Sequence, residues 1–514
     1  MSDALRHSAA SRARAGGPAR TARPIRRLRA GLAGLDRATL ALCLSLVGTR
    51  VIALGCFAVF DDAFITFRYA RNLAAGHGFV YNAGDWVLGT TAPLFGLLSS
   101  LVFVLGGAPE SVLPWCNIGL DLAIALLVRQ MMFRGDRFGF ALFVACFALS
   151  PMLARVTVGA MEVNLFVLLG LGAFALYQSQ RPYLAAALGA LAYFLRPEAV
   201  LIVAVLCLAE MFVGRRPWRA VGMGALALAV VAPGLVAMEL IYGHFIPQSV
   251  IAKSARVAVP PWDVIRQLLA PEPISAAIAA VGAIGVGLAL RAGGIARLLA
   301  VWLLLYLCAY ALGGPKIWSW YGFMPLCLSA IFAARALAAG LVRVPRARFF
   351  CRGARVEWTI AAGVVACWAA LGIWRFPDRI TQNVYDPVAS FCRDHETASA
   401  TILASDIGVI GYRCPGFIED AAALVWPPAQ DYNSIWAIAA ATKPTYLFLN
   451  VGKTMLTRMS AAPLASAYRP LRRFDVDGIA DPRRIRNRSD DWAQEYIVYR
   501  RVDAPPPAAK TGGK

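Results

Sequence analysis

Residues 92–107, Ala92-Pro93-Leu94-Phe95-Gly96-Leu97-Leu98-Ser99-Ser100-Leu101-Val102-Phe103-Val104-Leu105-Gly106-Gly107, form one of many apolar runs in this chain, and their reading decides where everything downstream lies. If the run crosses a membrane, every later connection changes sides. If it does not, eleven other apolar runs remain as spans, near 38–60, 112–133, 138–154, 162–178, 182–195, 198–213, 220–241, 274–290, 297–312, 319–338 and 356–375. With the N-terminus inside, Arg129, Arg134, Arg137, Arg181, Arg215, Arg216, Arg219, Arg291 and Arg297 then all fall in cytoplasmic connections. So does the basic stretch Arg343, Arg346, Arg348, Arg352 and Arg355. Short cytoplasmic loops concentrate arginine and lysine, so this is the arrangement the charges select. Residues 92–107 accordingly read as a helix lying in the interface, or half-buried, on the outer side.

The composition agrees with a polytopic α-helical membrane protein. Of 514 residues, 59% are hydrophobic and only 16% charged, where a soluble domain carries roughly a quarter charged. The net charge of +21 would suit a nucleic-acid partner, but the arginines sit in the N-terminal segment and the short loops, which excludes that reading. Residues 1–37 read as a disordered basic cytoplasmic tail. The run at 38–60 is too long for a signal-peptide core, and Cys56-Phe57-Ala58-Val59-Phe60 is no small-residue cleavage site, so it reads as a retained first helix. A membrane module spans 38–375, with a large first outer loop at 61–111. After it, 376–502 reads as an extracytoplasmic small α/β domain, with strand-like runs at Thr401–Ala404, Thr445–Leu449 and Tyr496–Tyr499. Residues 503–514 read as a disordered end. The 11 cysteines contain no CxxC pair, so zinc is not indicated. Cys392 and Cys414 are the two in the C-terminal polar region, and they can pair if that region faces an oxidising compartment.

Several polar residues stand where a membrane protein rarely tolerates them, and they share the outer side. Asp61-Asp62 follow the first helix. Two adjacent carboxylates repel each other, and they persist most readily where hydrogen bonds, a cation or catalysis require them. Arg68, His77, Tyr81, Asn82 and Asp85 belong to the same loop. Glu162, Arg196-Pro197-Glu198, Glu239 and the segment Tyr242-Gly243-His244-Phe245-Ile246-Pro247-Gln248-Ser249 fall on that side too. Lys253 and Lys316, the only lysines in residues 1–376, also lie outside, against the usual bias. A compact ammonium suits a phosphate as a point charge. Lys316 reads as a snorkelling residue and Trp318, Trp320 and Tyr321 as an interfacial aromatic belt. Asp121 falls in mid-span, either as an arginine's partner or as a hydrogen-bonded structural residue.

The segment DDAFITFRYARNLAAGHGFVYNAGDWVLGTTAPLF resembles the first outer loop of the GT-C superfamily of membrane glycosyltransferases, in particular the terminal β-(1→2) arabinofuranosyltransferases and their bacterial relatives. GAMEVNLF, LRPEAVL, IYGHFIPQSVIAK and SDIGVIGYRCPGFIEDAAALVW are similar to four further segments of that group, in the same order, over about residues 40–430. Leu88-Gly89-Thr90-Thr91-Ala92-Pro93, Met161, Val163 and Gln248 depart from the usual pattern. The resemblance implies a GT-C-like fold in a bacterial inner membrane, with the C-terminal domain outside. It also implies a polyprenyl-phosphate sugar donor, possible arabinofuranose transfer, and a glycan, lipid or protein acceptor among the membrane lipids and envelope polymers. Asp61 and Asp62 would be catalytic. Lys253, Arg196, His244 and Tyr242 would bind the donor phosphate or sugar, and Arg68, His77, Glu162, Glu198 and Asp406 the substrates. Two carboxylates plus a phosphate could also hold Mg²⁺ or Mn²⁺. A transporter or lipid flippase is the competing class, since membrane-embedded charges also mark transport paths. A non-catalytic scaffold explains the outer domain but not the acidic pair.

Overall fold

The computed structural model describes residues 36–254, 259–341, 354–371, 386–395, 397–451, 464–475 and 495–504. Residues 1–35 and 505–514 of the two expected terminal tails, parts of several connections and Arg343, Arg346, Arg348 and Arg352 lie outside the described residues, while Arg37, expected in the first tail, begins the first helix. Each of the eleven expected spans coincides with described helix, but not every one is a full-length crossing. Among the described residues, six helices are long and apolar enough to span a bilayer: Arg37–Leu54, Pro109–Met132, Pro217–Tyr242, Pro273–Ala292, Gly294–Gly313 and Ser319–Leu341. The expected span at 138–154 is two helices, Arg137–Leu149 and Pro151–Val158, bent by 68° at Ser150-Pro151. Pro151 removes a backbone donor there, and Ser150 caps the second half through Leu153 N. Val163–Gln178, Pro182–Leu191 and Val200–Leu208 fall short of the roughly 20 residues of a straight crossing. The chain is therefore a multi-pass membrane protein whose expected eleven uniform spans are partly short or broken helices.

The deciding segment, Pro93–Val104, is a helix of 12 residues, about 18 Å long and too short to cross. Leu97, Leu98, Leu101, Val104 and Leu105 are exposed on its outer surface, while Phe95, Gly96 and Ser99 pack inward, as for an apolar helix laid along the bundle. Gly96 lets it approach closely, since a Cβ there would press on the Phe79 ring.

The mid-span charge pair is satisfied within the bundle. Asp121 accepts from Arg50 at 2.7 Å, Thr157 at 2.8 Å and Asn164 at 2.7 Å, and Arg50 also donates to the carbonyls of Phe147 and Ala148. Asp121 is thus both of the things its position allowed, an arginine's partner and a hydrogen-bonded structural centre. Gly282 and Gly285 bring Pro273–Ala292 against the backbone of Phe323–Leu341, where any side chain would strike Ser329 or Phe332.

The C-terminal domain carries a mixed five-stranded sheet in the order β2-β1-β3-β5-β4: β1 Thr401–Ala404, β2 Phe417–Asp420, β3 Tyr446–Val451, β4 Tyr468–Asp475 and β5 Glu495–Arg501. β2, β1 and β3 are parallel, and β5 runs antiparallel to β3 and β4. Cys392 and Cys414 form a disulfide that ties helix Asp386–Asp394 to the segment before β2.

Removing Asp121 should strand the Arg50 charge. Asp121→Ala should lower stability by about 3–5 kcal/mol, measured by thermal unfolding in detergent, while Arg50→Met with Asp121→Leu should recover most of the loss.

Candidate functional site

The parallel half of the sheet places Ser405-Asp406 after β1, Asp420 at the end of β2 and Asn450 near the end of β3, so the carboxyl ends of these strands share one edge. Connections leave β1 toward β2 and return to β3 on its other side, which makes this edge the usual ligand crevice of an open α/β sheet. Here it grips the membrane module. Asp61 starts helix Asp61–Ala74, and its two carboxyl oxygens accept Gly408 N at 3.1 Å and Val409 N at 2.8 Å, at the start of the short helix Val409–Arg413. Gly408 is required, because a Cβ would collide with the Asp61 backbone oxygen and carboxyl carbon. Burial raises the Asp61 pKa to about 8, helped by the nearby charges of Asp406 and Asp62 against the lowering effect of the two N–H bonds. Burial raises the Asp406 carboxyl as well, opposed by hydrogen bonds from Asn450 at 2.8 Å and Tyr496 at 3.3 Å and by the charge of Lys316.

Beside this seam lies a cavity of about 50 Å³. Its walls include Asp62, Thr90, Glu162, Arg196, Ser249, Lys253, Trp320 and Tyr321. Sequence reasoning thus brought four residues, Asp62, Glu162, Arg196 and Lys253, to one place. Asp61 is next to it but not among the lining residues. A typical ligand pocket begins near roughly 300 Å³, so a sugar must widen this one. The outer-domain loop carrying Leu424 closes it. Asp420 shapes that loop by accepting Ala422 N, Leu424 N and Val425 N, and Gln248 pins it by donating to Ala423 O at 3.1 Å.

Arg196 is committed elsewhere than expected. It bonds Glu162 at 2.8 Å and Glu198 at 2.9 Å, donates to Tyr310 at 3.3 Å and stacks over the Tyr321 ring at 4.6 Å. Two carboxylates neutralise one guanidinium, so Arg196 presents no net positive charge to a phosphate. Arg68 is also spent. Its five N–H donors meet Tyr81 O, Gly411 O, Cys414 O, Asn82 Oδ1 and Gly416 O, which makes it a clamp between the first loop and the outer domain rather than a substrate ligand. Tyr81 and Asn82, which also looked functional, bond Ile407 and Ile418 of the outer domain. His77 is exposed and away from the cavity. Tyr242 donates to Phe79 O at 2.8 Å, and His244 bonds Ile246 O at 2.9 Å; neither lines the cavity.

The sequence reading missed the aromatic wall. Trp320 and Tyr321 read as belt residues, but both line the cavity, with Phe60 5.3 Å from Trp320. Lys316 lies exposed over the Trp318 ring at 4.7 Å. The signal available was the proximity of three aromatics to a lysine, which a belt also produces. Thr90, Ala92 and Met161, where the chain departs from the motif it resembles, line the cavity as well.

No protein-family profile matches the sequence, and no curated protein does. Solved structures do match in fold. ArnT from Cupriavidus metallidurans bound to undecaprenyl phosphate is similar with a TM-score of 0.58 at 13% identity, over 91% of this chain and 98% of that one. Its apo state matches with a TM-score of 0.55, also at 13% identity, over 90% and 97%. The Archaeoglobus fulgidus oligosaccharyltransferase, tethered to an acceptor peptide, matches at 0.50 and 12% identity over 80% and 69%. The chain has the GT-C fold. The helical bundle with a small sheet domain on one face is the GT-C arrangement expected from the motifs.

Gly408→Ala should drive Asp61 off the outer domain. Limited proteolysis should then cut the C-terminal domain faster than in the wild type, while Gly340→Ala, where a Cβ meets open space, should change nothing.

Proposed function

We propose that this protein is a membrane glycosyltransferase that moves a sugar from a polyprenyl-phosphate donor to a cell-envelope acceptor on the non-cytoplasmic face. The observation that carries this reading is the convergence of Asp62 and Lys253 at one cavity, with Asp61 at the seam beside it, under a disulfide-bonded domain, on a GT-C fold. The disulfide favours an oxidising compartment for that domain, in accord with the arginine bias that leaves it outside. The ArnT structure, which holds undecaprenyl phosphate, supports a polyprenyl-linked donor here. The motif resemblance makes arabinofuranose the first donor sugar to assay, and the changed cavity residues Thr90, Ala92 and Met161 favour a substrate different from that group's.

Asp61 acts as general base. Its carboxyl, raised to about 8, is tuned near working pH, where a base combines ionisation with proton affinity. It removes the proton of the acceptor hydroxyl as that oxygen attacks the anomeric carbon. The bond from that carbon to the phosphate oxygen breaks, and its electron pair leaves on the lipid phosphate, so configuration inverts. Lys253 stabilises the charge that develops there in a partly desolvated site. Asp62 and Glu162, as cavity walls, accept sugar hydroxyls, and Trp320 and Tyr321 supply an apolar face for the ring. Among the described residues no three His, Cys, Asp or Glu gather as a metal site. Mg²⁺ or Mn²⁺ at Asp61 and Asp62 would complete its shell with phosphate oxygens and water. A flippase reading has no comparable support, since the midspan Arg50–Asp121 pair is sealed and fully bonded.

In purified protein, Asp61→Asn should lower kcat about 10²- to 10⁴-fold with KM little changed, Asp62→Asn should mainly raise KM, and Lys253→Ala should abolish transfer while the fold persists. Retention of full activity by Asp61→Asn and Lys253→Ala would remove this mechanism. A base must be ionised, so the rate should climb with pH and level off above about 8. Asp406→Asn, which takes away a like charge, should move that midpoint down.

A further inference from the structure

Helix Gln248–Ser254 carries two faces that no role above explains together. Ser249 and Lys253 are one turn apart, on the same side, and both line the cavity. The Ser249 hydroxyl is buried and has no hydrogen-bond partner among the described residues. An orphaned buried hydroxyl costs roughly as much as a lost hydrogen bond, so a position that keeps one next to a cavity points to a partner that arrives with a ligand. The opposite face is apolar and uncovered: Val250 and Ile251, with Phe245 and Ile246 just before them, are exposed.

Resting on the donor assignment above, we propose that this helix is the portal for the lipid phosphate. The Ser249 hydroxyl and the Lys253 ammonium hold a phosphoryl oxygen inside the cavity, while Phe245, Ile246, Val250 and Ile251 seat the first isoprenoid units outside it. Ser249 thereby takes the second phosphate contact, which Arg196, bound between Glu162 and Glu198, does not supply. A hydroxyl donor beside an ammonium matches a tetrahedral oxyanion, and the flanking apolar face matches the chain attached to it. Gln248 fixes the helix on both sides, its N–H to Leu88 O at 2.7 Å and its side chain to Ala423 O, so the two donors enter the cavity from a braced element.

The test measures binding of undecaprenyl phosphate, undecaprenol and inorganic phosphate to the full chain in detergent by calorimetry, for wild type and Ser249→Ala. Wild type should bind undecaprenyl phosphate well above the other two. Ser249→Ala should weaken that affinity about ten-fold, in line with a hydrogen bond to a charged group, and leave undecaprenol unchanged. Its Tm without ligand should hold or rise, because an unsatisfied hydroxyl is gone; a purely structural serine would instead lower Tm. Equal affinity of the two proteins for undecaprenyl phosphate overturns the portal while leaving the glycosyltransferase reading intact. Equally tight wild-type binding of inorganic phosphate shows a phosphate site without a lipid seat, and overturns the portal. Absence of undecaprenyl phosphate binding in wild type overturns both.

Discussion

The carboxylate of Asp61 joins two bodies built under opposite solvation rules. Below it is a helical bundle that satisfies its backbone internally because lipid offers no hydrogen bonds. Above it is an α/β sheet with a carboxyl-end crevice of the kind that ordinarily takes a ligand. By accepting Gly408 N and Val409 N, Asp61 occupies that crevice from outside and makes the outer domain part of the same site. The contact needs a glycine at 408, and the Arg68 clamp with Tyr81 and Asn82 holds the surfaces around it in register. Burial at this seam is also what lifts the Asp61 carboxyl toward neutral pH, so the docking and the proposed base strength have one cause.

Polar groups elsewhere follow the same economy of solvation. Arg50 and Asp121 sit in the bundle because each of their groups has a partner, and they leave no charge for a transported ion. Glu162, Arg196 and Glu198 form a second buried ion cluster at the cavity, with an acidic surplus that suits hydroxyl-rich ligands and disfavours a phosphate at Arg196. In the proposed mechanism the phosphate is assigned instead to Lys253.

Much of this was legible in the chain. Arginine placement set Pro93–Val104 apart from the expected spans, and the segment is a helix of 12 residues, although some of those spans hold α-helices as short. Three of the five strands stood in the expected places, and Cys392 and Cys414, whose pairing the sequence left open, are bonded. Two strands did not. Phe417–Asp420 is short with two acids, and Tyr468–Asp475 carries a proline and three arginines, a pattern that only an edge position tolerates. The site was harder to read because a polar side chain in a loop has the same appearance whether it binds substrate or the next domain. Arg68, Tyr81 and Asn82 proved to be seam residues, and Trp320 moved from belt to cavity wall. Only the contacts of residues more than 300 positions apart in sequence separate these roles, as between Arg68 and Gly411.

A structure of the full chain with a non-cleavable polyprenyl-phosphonate sugar tests the central claim most directly. The account predicts the anomeric carbon beside Asp61 and Asp62, under the Gly408 loop, with the phosphonate at Lys253. A sugar bound away from that seam, or on the opposite face of the bundle, would contradict it.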